Sequence, residues 1–368
     1  MRKRTLLTFA ILAGVTAIGL AQAAGTGAGA QAPQAPAGRG MAPPPIDAKV
    51  AARAVAIPYE QVIKMEKDLS NWGRWGKDDE RGSLNLVTKE VTLKAIRGVK
   101  DGVYVSLARW ADLQKLPDTY TFGETKHWMS NVNPVTHQVR GALDNIMYGI
   151  HDGTNSHLDS LCHYNMEKDG INVVFNGHPQ NLDEQGCKQD AIDRMGPGVI
   201  TRAVLVDIPL MKGVPYLEPG TPIMASDLEA WEKFANVKIG SGDAVFIRNG
   251  RWARRAALGP WNAAREAAGL HASAMPWLKQ RNISILGSDA VNDVQPSGVE
   301  GGVPGEAKSR PIHLLSIAVM GVPLVDNGYF EDAAREAAQR KRWDFLMTVQ
   351  FTRVPGGTAT NFNALGVF

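Results

Sequence analysis

The stretch His151-Asp-Gly-Thr-Asn-Ser-His157-Leu-Asp159-Ser-Leu-Cys-His163 constrains this chain more than any other. It gathers three of the chain's 8 histidines around Asp159. His157, Asp159 and His163 are all odd-numbered, so on an extended segment their side chains share one face. On a helix, residues two apart lie about 200° around the axis and cannot meet at one ion. The segment therefore reads as strand or tight turn, with imidazole and carboxylate converging. Neutral imidazole beside carboxylate suits a divalent cation such as zinc or manganese. A lone buried His is more often a hydrogen-bonded core residue. Three of them with an interleaved Asp favour a metal site.

The ends of the chain set its compartment and domain limits. Met1-Arg-Lys-Arg4 is basic, Thr5–Leu20 is almost wholly apolar, and Ala21-Gln22-Ala23 is a small-x-small cleavage pattern. Residues 1–23 read as a secretory signal, which predicts a periplasmic or secreted protein. Residues 24–57 begin as AGTGAGAQAPQAPAGRGMAPPP, too poor in bulky apolar side chains to offset chain entropy, and read as a disordered tether. Residues 58–368 carry no internal repeat and no second linker, so they read as one catalytic domain. The formal net charge of +3 resides in Arg2, Lys3 and Arg4. Without the leader the chain is near neutral, and nothing in its charge argues for nucleic acid or a membrane surface as partner. The 2 cysteines, Cys162 and Cys187, could pair in an oxidising compartment, although Cys162 lies inside the histidine stretch.

Along the chain, Tyr59–Leu69 has helical spacing of Val62, Met65 and Leu69, and Val87–Lys100 reads as a helix capped by Thr88. Val103–Ala108 and Val135–Ala142 alternate as strands, Pro179–Cys187 reads as loop, and Val199–Ile208 reads as a buried central strand. Ser226–Phe234 and Pro260–Ala268 read as helices, with strands at Ala244–Arg248 and Ile283–Leu286. Pro311 opens a helix ending near Gly321, Val322–Val325 is a strand running into Asp326, and Asp344–Val354 alternates. Strands without intervening helices make the class mixed α/β rather than a simple alternating parallel sheet.

Two later residues could complete the site: His313 at a helix start and Asp326 at a strand end, positions from which side chains reach a crevice. Trp72 and Trp75, in a glycine-rich loop, could line a pocket for a planar substrate or plug the edge of a core. Trp252 is a further aromatic candidate.

These features together resemble the metal-dependent cyclase family, which includes bacterial kynurenine formamidase and isatin hydrolase. The resemblance runs from about Trp72 to near the C-terminus, through WGKDDERGSLN, SHLDSLCH, GVITRAVLVDI, GDAVFIRNGRW, LGSDAVND and PIHLLSIAVMGVPLVDN. It implies a β/β/α swivelling fold with a mixed sheet and small barrel, and at least a dimer. The family pattern His-x-Gly-x-His-x-Asp-x-x-x-His places its second His at His157, its Asp at Asp159 and its last His at His163. The resemblance makes His157 and Asp159 metal ligands, His163 the proton donor and acceptor, and His313 and Asp326 the later ligands. Two positions depart from it. Gly153 stands where the first His belongs, so a longer loop must carry His151 inward if it is to serve as the missing ligand, and Asp326 stands where Glu is usual. Whether one ion or two is held stays open.

The implied chemistry is hydrolysis of a C–N amide bond in a small cyclic amide or an N-acyl or formyl amide. A divalent ion lowers the pKa of bound water from 15.7 to roughly 7 and polarises the carbonyl, while His163 shuttles the proton to the leaving nitrogen. Alternatives are a metal- or ligand-binding protein without catalysis, and a lyase or lactone hydrolase using the same ion. All the catalytic readings require the His313 ring to lie within about 8 Å of Asp159, twice the roughly 4 Å between ligands of one ion.

Overall fold

The computed structural model describes residues 45–119 and 122–368; the leader at 1–23 and the tether as far as 44 lie outside the described residues. Residues 46–368 form one compact unit. The tether expectation extends too far along the chain. Asp47 caps a short helix, Ala48–Ala51, by accepting from the Lys49 amide at 2.7 Å. Ile57–Pro58 then pairs parallel with Val299–Glu300, with Ile57 buried. Two aliphatic anchors, Val50 and Ile57, are enough to draw an otherwise low-complexity segment onto the core.

A mixed sheet of nine strands organises the unit. In chain order they are β1 (Tyr104–Ser106), β2 (His157–Asp159), β3 (Gly198–Asp207), β4 (Ala244–Arg248), β5 (Ile285–Ser288), β6 (Leu324–Asp326), β7 (Asp344–Gln350), β8 (Ala359–Asn361) and β9 (Leu365–Val367). Across the sheet the order is β8-β2-β6-β5-β4-β3-β7-β9-β1. The central strands β3, β4, β5 and β6 are parallel, and antiparallel strands flank them on both sides. The sheet curls into a half-barrel. Its parallel centre is buried, as the apolar runs at Ala203–Val206 and Ala244–Ile247 require. On β7, Phe345, Met347 and Val349 face inward in alternation.

Helices α1 (Tyr59–Asp68), α2 (Lys89–Arg97), α3 (Ala225–Ala235) and α4 (Arg251–Leu258) precede the late part of the sheet. The Thr88 side chain caps α2 through the Val91 amide. The helix expected at Pro260–Ala268 does not form: Ala267 pairs its backbone with Gln295, and the Trp261 indole donates to the Glu266 carbonyl at 2.7 Å. The helix lies instead at α4, where Asp289 accepts the amides of Asn249, Gly250 and Arg251 at 2.8, 2.8 and 3.2 Å. The strand expected at Val135–Ala142 is also absent. The Asn133 side chain turns the chain by accepting the amides of Val135 and Thr136 at 2.9 and 3.0 Å. The pairing segments flank that turn, at Lys126–Met129 and Asp144–Met147.

This topology puts β2 between β6 and β8, with His157 opposite both Asp326 and Asn361. Beside it are the carboxyl ends of the parallel strands, where an open α/β sheet leaves a crevice.

Candidate metal centre

β2 is three residues long, and all three are buried. Leu158 points to the core side, so His157 and Asp159 share the opposite one. The strand stops at Asp159. A turn follows, with the His163 amide donating to the Ser160 carbonyl at 3.2 Å, and this turn rather than a continued strand returns His163 to the same side. Cys162 in that turn forms a disulfide with Cys187, which settles the pairing left open by the sequence. Upstream, the Asn155 amide group holds the Gly149 carbonyl at 2.6 Å and Thr125 Oγ1 at 2.8 Å. The loop so fixed carries His151 inward across the gap left by Gly153.

His151, His157 and Asp159 each offer a ligand atom, and these atoms all lie within 4.8 Å of one another. Around Asp159 Oδ1 stand His151 Nδ1 at 3.4 Å, His157 Nε2 at 3.6 Å and His163 Nε2 at 3.9 Å. His313 Nε2 lies 3.9 Å from Oδ2, well inside the limit required above. Two ligands about 2.1 Å from a tetrahedral ion stand about 3.4 Å apart. The Asp159 carboxylate is fully buried, and among the described residues neither of its oxygens has a hydrogen-bond partner. A buried carboxylate left so is costly, and a cation among the rings removes that cost. The residues fit a divalent metal.

The second nitrogens of these rings are assigned elsewhere. His157 Nδ1 donates to the Asn155 carbonyl at 2.8 Å, and His151 Nε2 lies 3.1 Å from Thr358 Oγ1. His313 follows a loop from β5 and opens a π-helical turn, Leu314–Val319. Its Nδ1 is hydrogen-bonded to Asp293 Oδ2, and the other Asp293 oxygen accepts the Ile312 amide at 2.7 Å. Asp293 therefore fixes the ring so that Nε2 faces the centre, 3.3 Å from Asp326 Oδ2. Asp326 Oδ1 accepts the Asn292 side chain at 2.7 Å, so its free oxygen points to His313.

Charge in the pocket follows this arrangement. Burial opposes charge on His313, yet Asp326 and Asp293 outweigh it and push the ring up to about 10. The same negative field favours any cation at Nε2. Burial raises the Asp159 carboxyl, and the rings of His163 and His157 more than reverse this, holding it below the usual carboxylate range. His163 goes the other way. Burial pushes it down to about 4, only partly offset by Asp159, so its ring is neutral near pH 7.

The centre opens on a cavity of about 480 Å³ lined by His151, His157, Asp159, His163, His313 and Asp326. Trp72 and Trp75 are not among the residues lining it. The Trp72 indole donates to the Ala318 carbonyl at 2.8 Å and packs on the core, and Arg74 lies over Trp75. Trp252 is buried away from the cavity, its indole donating to the Gly328 carbonyl at 2.7 Å. The aromatic walls are Phe122 and Tyr164 instead.

A family model described as putative cyclase matches residues 94–292, more than half of the chain. The chain belongs to the putative cyclase family. Among solved structures, one described as a novel cyclase is 24% identical, with a TM-score of 0.69 over 85% of this chain and 100% of that one. It confirms the mixed, half-barrel fold. Two isatin hydrolases match more loosely. One, bound to the product analogue thioisatinate, is 17% identical over 76% of this chain and 96% of its own, TM-score 0.47. The other, from Labrenzia aggregata and bound to benzyl benzoate, is 15% identical over 74% and 97%, TM-score 0.49. No curated protein matches the chain.

Proposed function

We propose that this cyclase-family protein is a metal-dependent hydrolase that cleaves a C–N amide bond in a small cyclic amide or an N-acyl or formyl amide. The observation that carries this reading is the buried, unpartnered carboxylate of Asp159 among four imidazoles. His151, His157 and Asp159 would hold a zinc or manganese ion, with His313 and Asp326 beside them. Such an ion supplies Lewis acidity, making water a better nucleophile near neutral pH and polarising the acyl carbonyl.

The chain's own residues do the rest. His163 Nε2, neutral through burial, accepts the proton of the attacking water as the C–O bond forms. Asp159, 3.9 Å away, stabilises the imidazolium so produced. The ring then delivers that proton to the leaving nitrogen as the C–N bond breaks. Phe122 and Tyr164 give the substrate apolar surface.

The reading includes export and self-association. The Cys162–Cys187 disulfide supports an oxidising compartment. The ribbon at Lys126–Met129 and Asp144–Met147, with Trp128, Ile146 and Met147 exposed, supports a second copy as its cover. The test of function is elemental analysis of the purified protein with a panel of small amides, assayed before and after chelation. Stoichiometric metal and chelator-sensitive amide hydrolysis are expected. Full turnover after complete metal removal overturns the reading, and turnover without solvent oxygen in the product reassigns it to a lyase.

A further inference from the structure

Outside the histidine cluster the cavity wall carries two arginines, Arg251 and Arg310, each with a buried donor nitrogen that meets no acceptor among the described residues. The Arg251 side chain is only 2% exposed. A guanidinium buried to that degree is normally matched by a close carboxylate. Here its nearest acceptors are neutral: the Asn327 side-chain oxygen, and the Gly153 carbonyl at 2.6 Å. Arg251 Nη2 also donates to Asp118 Oδ2 at 3.4 Å, but it shares that carboxylate with Arg255, which holds both oxygens more closely, at 2.7 and 3.0 Å. The Asp289 carboxylate is occupied by the backbone amides that open α4. Arg251 Nε is buried with no acceptor among the described residues.

Arg310 repeats the pattern. One terminal nitrogen donates to the Ala264 carbonyl at 2.5 Å, and the other is buried without a partner. Glu306, on the same wall, accepts from Ser309 Oγ at 3.3 Å. Among the described residues no ion pair engages Arg310. Arg251 is also held in place: its guanidinium stacks 4.4 Å from the Trp252 ring, and its two neutral acceptors adjoin the loop bearing His151 and the ligand Asp326. A planar fork fixed this way, beside a cation centre, suits an oxyanion.

We infer that Arg251, with Arg310 as a second cationic group, forms a carboxylate subsite, so that the substrate is a small amide carrying a free acid separate from its scissile carbonyl. This rests on the hydrolase reading for the word substrate, and on the cavity alone for the anion. The Gly153 backbone carbonyl holds the guanidinium beside the loop that bears His151.

The test is calorimetric titration of the metal-loaded, full-length protein with benzoate and with benzamide, its neutral near-isostere. Benzoate is expected to bind at least tenfold more tightly. Arg251→Met should weaken benzoate binding at least tenfold with bound metal per chain unchanged, and Arg251→Lys should restore part of the loss. Should Arg251→Met fail to fold by circular dichroism, Arg310→Met carries the same expectation at a smaller, several-fold loss. Benzoate affinity that is unchanged in both variants, or no preference over benzamide, overturns the subsite. A protein that binds benzoate through Arg251 yet hydrolyses no amide keeps the subsite and discards the hydrolase. Metal-dependent amide hydrolysis indifferent to Arg251→Met does the reverse.

Discussion

Two histidines in this protein are each buried against an aspartate through Nδ1, and they do different things. His178 Nδ1 lies 2.8 Å from Asp190, and its Nε2 meets the Lys77 carbonyl at 3.0 Å, so both ring nitrogens are committed to the protein. His313 is fixed by Asp293 on the same side, yet its Nε2 faces the Oδ2 atoms of Asp326 and Asp159 at the centre. The first ring fastens the loop near residue 77 to the strand-poor region around Asp190. The second is held ready for a cation. An imidazole–carboxylate pair therefore says little by itself; the fate of the other nitrogen decides its role.

The contrast is most directly tested by His313→Gln beside His178→Gln. The first should lose bound metal and bring amide turnover to the uncatalysed background, while the second keeps metal and loses stability; metal loss in both, by elemental analysis, would break the distinction. Next in size is His163→Ala, for which kcat should fall by about 10²–10⁴ with the ion retained, the range for a lost general acid–base. Asp293→Asn should weaken metal affinity by about 10–100-fold, as loss of a ligand-orienting partner does. Asp190→Asn, measured in the same competition with a chelating dye, should leave that affinity alone and lower unfolding free energy by about 1–3 kcal/mol. The smallest effect belongs to Trp72→Phe: about 1 kcal/mol of stability for one lost hydrogen bond, with KM unaltered, since the indole lies outside the cavity. A raised KM would return Trp72 to the substrate wall.

Period-two spacing is enough to put His157 and Asp159 on one face, because alternation in a strand needs no tertiary information. His163 also ends on that side, but by a turn that local spacing does not distinguish from a longer strand. His313 and Asp326 stand out weakly by position, at a helix start and a strand end, and acquire a role only through the family resemblance; a histidine at a helix start carries no signal of what it will meet. Asp293, Asn292 and Arg251 carry no sequence signal of their own, although all three lie inside the LGSDAVND and GDAVFIRNGRW motifs. They act through contacts across the sheet, and such contacts leave no periodicity. Trp72 and Trp75 mislead for a related reason: a large aromatic in a glycine-rich loop looks the same in sequence whether it faces a ligand or a core. Pro260–Ala268 has helical composition, but its backbone groups are taken by Gln295 and Trp261, an override that composition cannot anticipate.

The bond between Cys162 and Cys187 gives any preparation of this protein a history. Cys162 is the immediate neighbour of His163, so the manner of synthesis reaches the reacting centre through a single peptide unit. Material produced in a thiol-rich host and material matured with an oxidant are two reagents, and their rates are comparable only after the sulfhydryls in each have been counted.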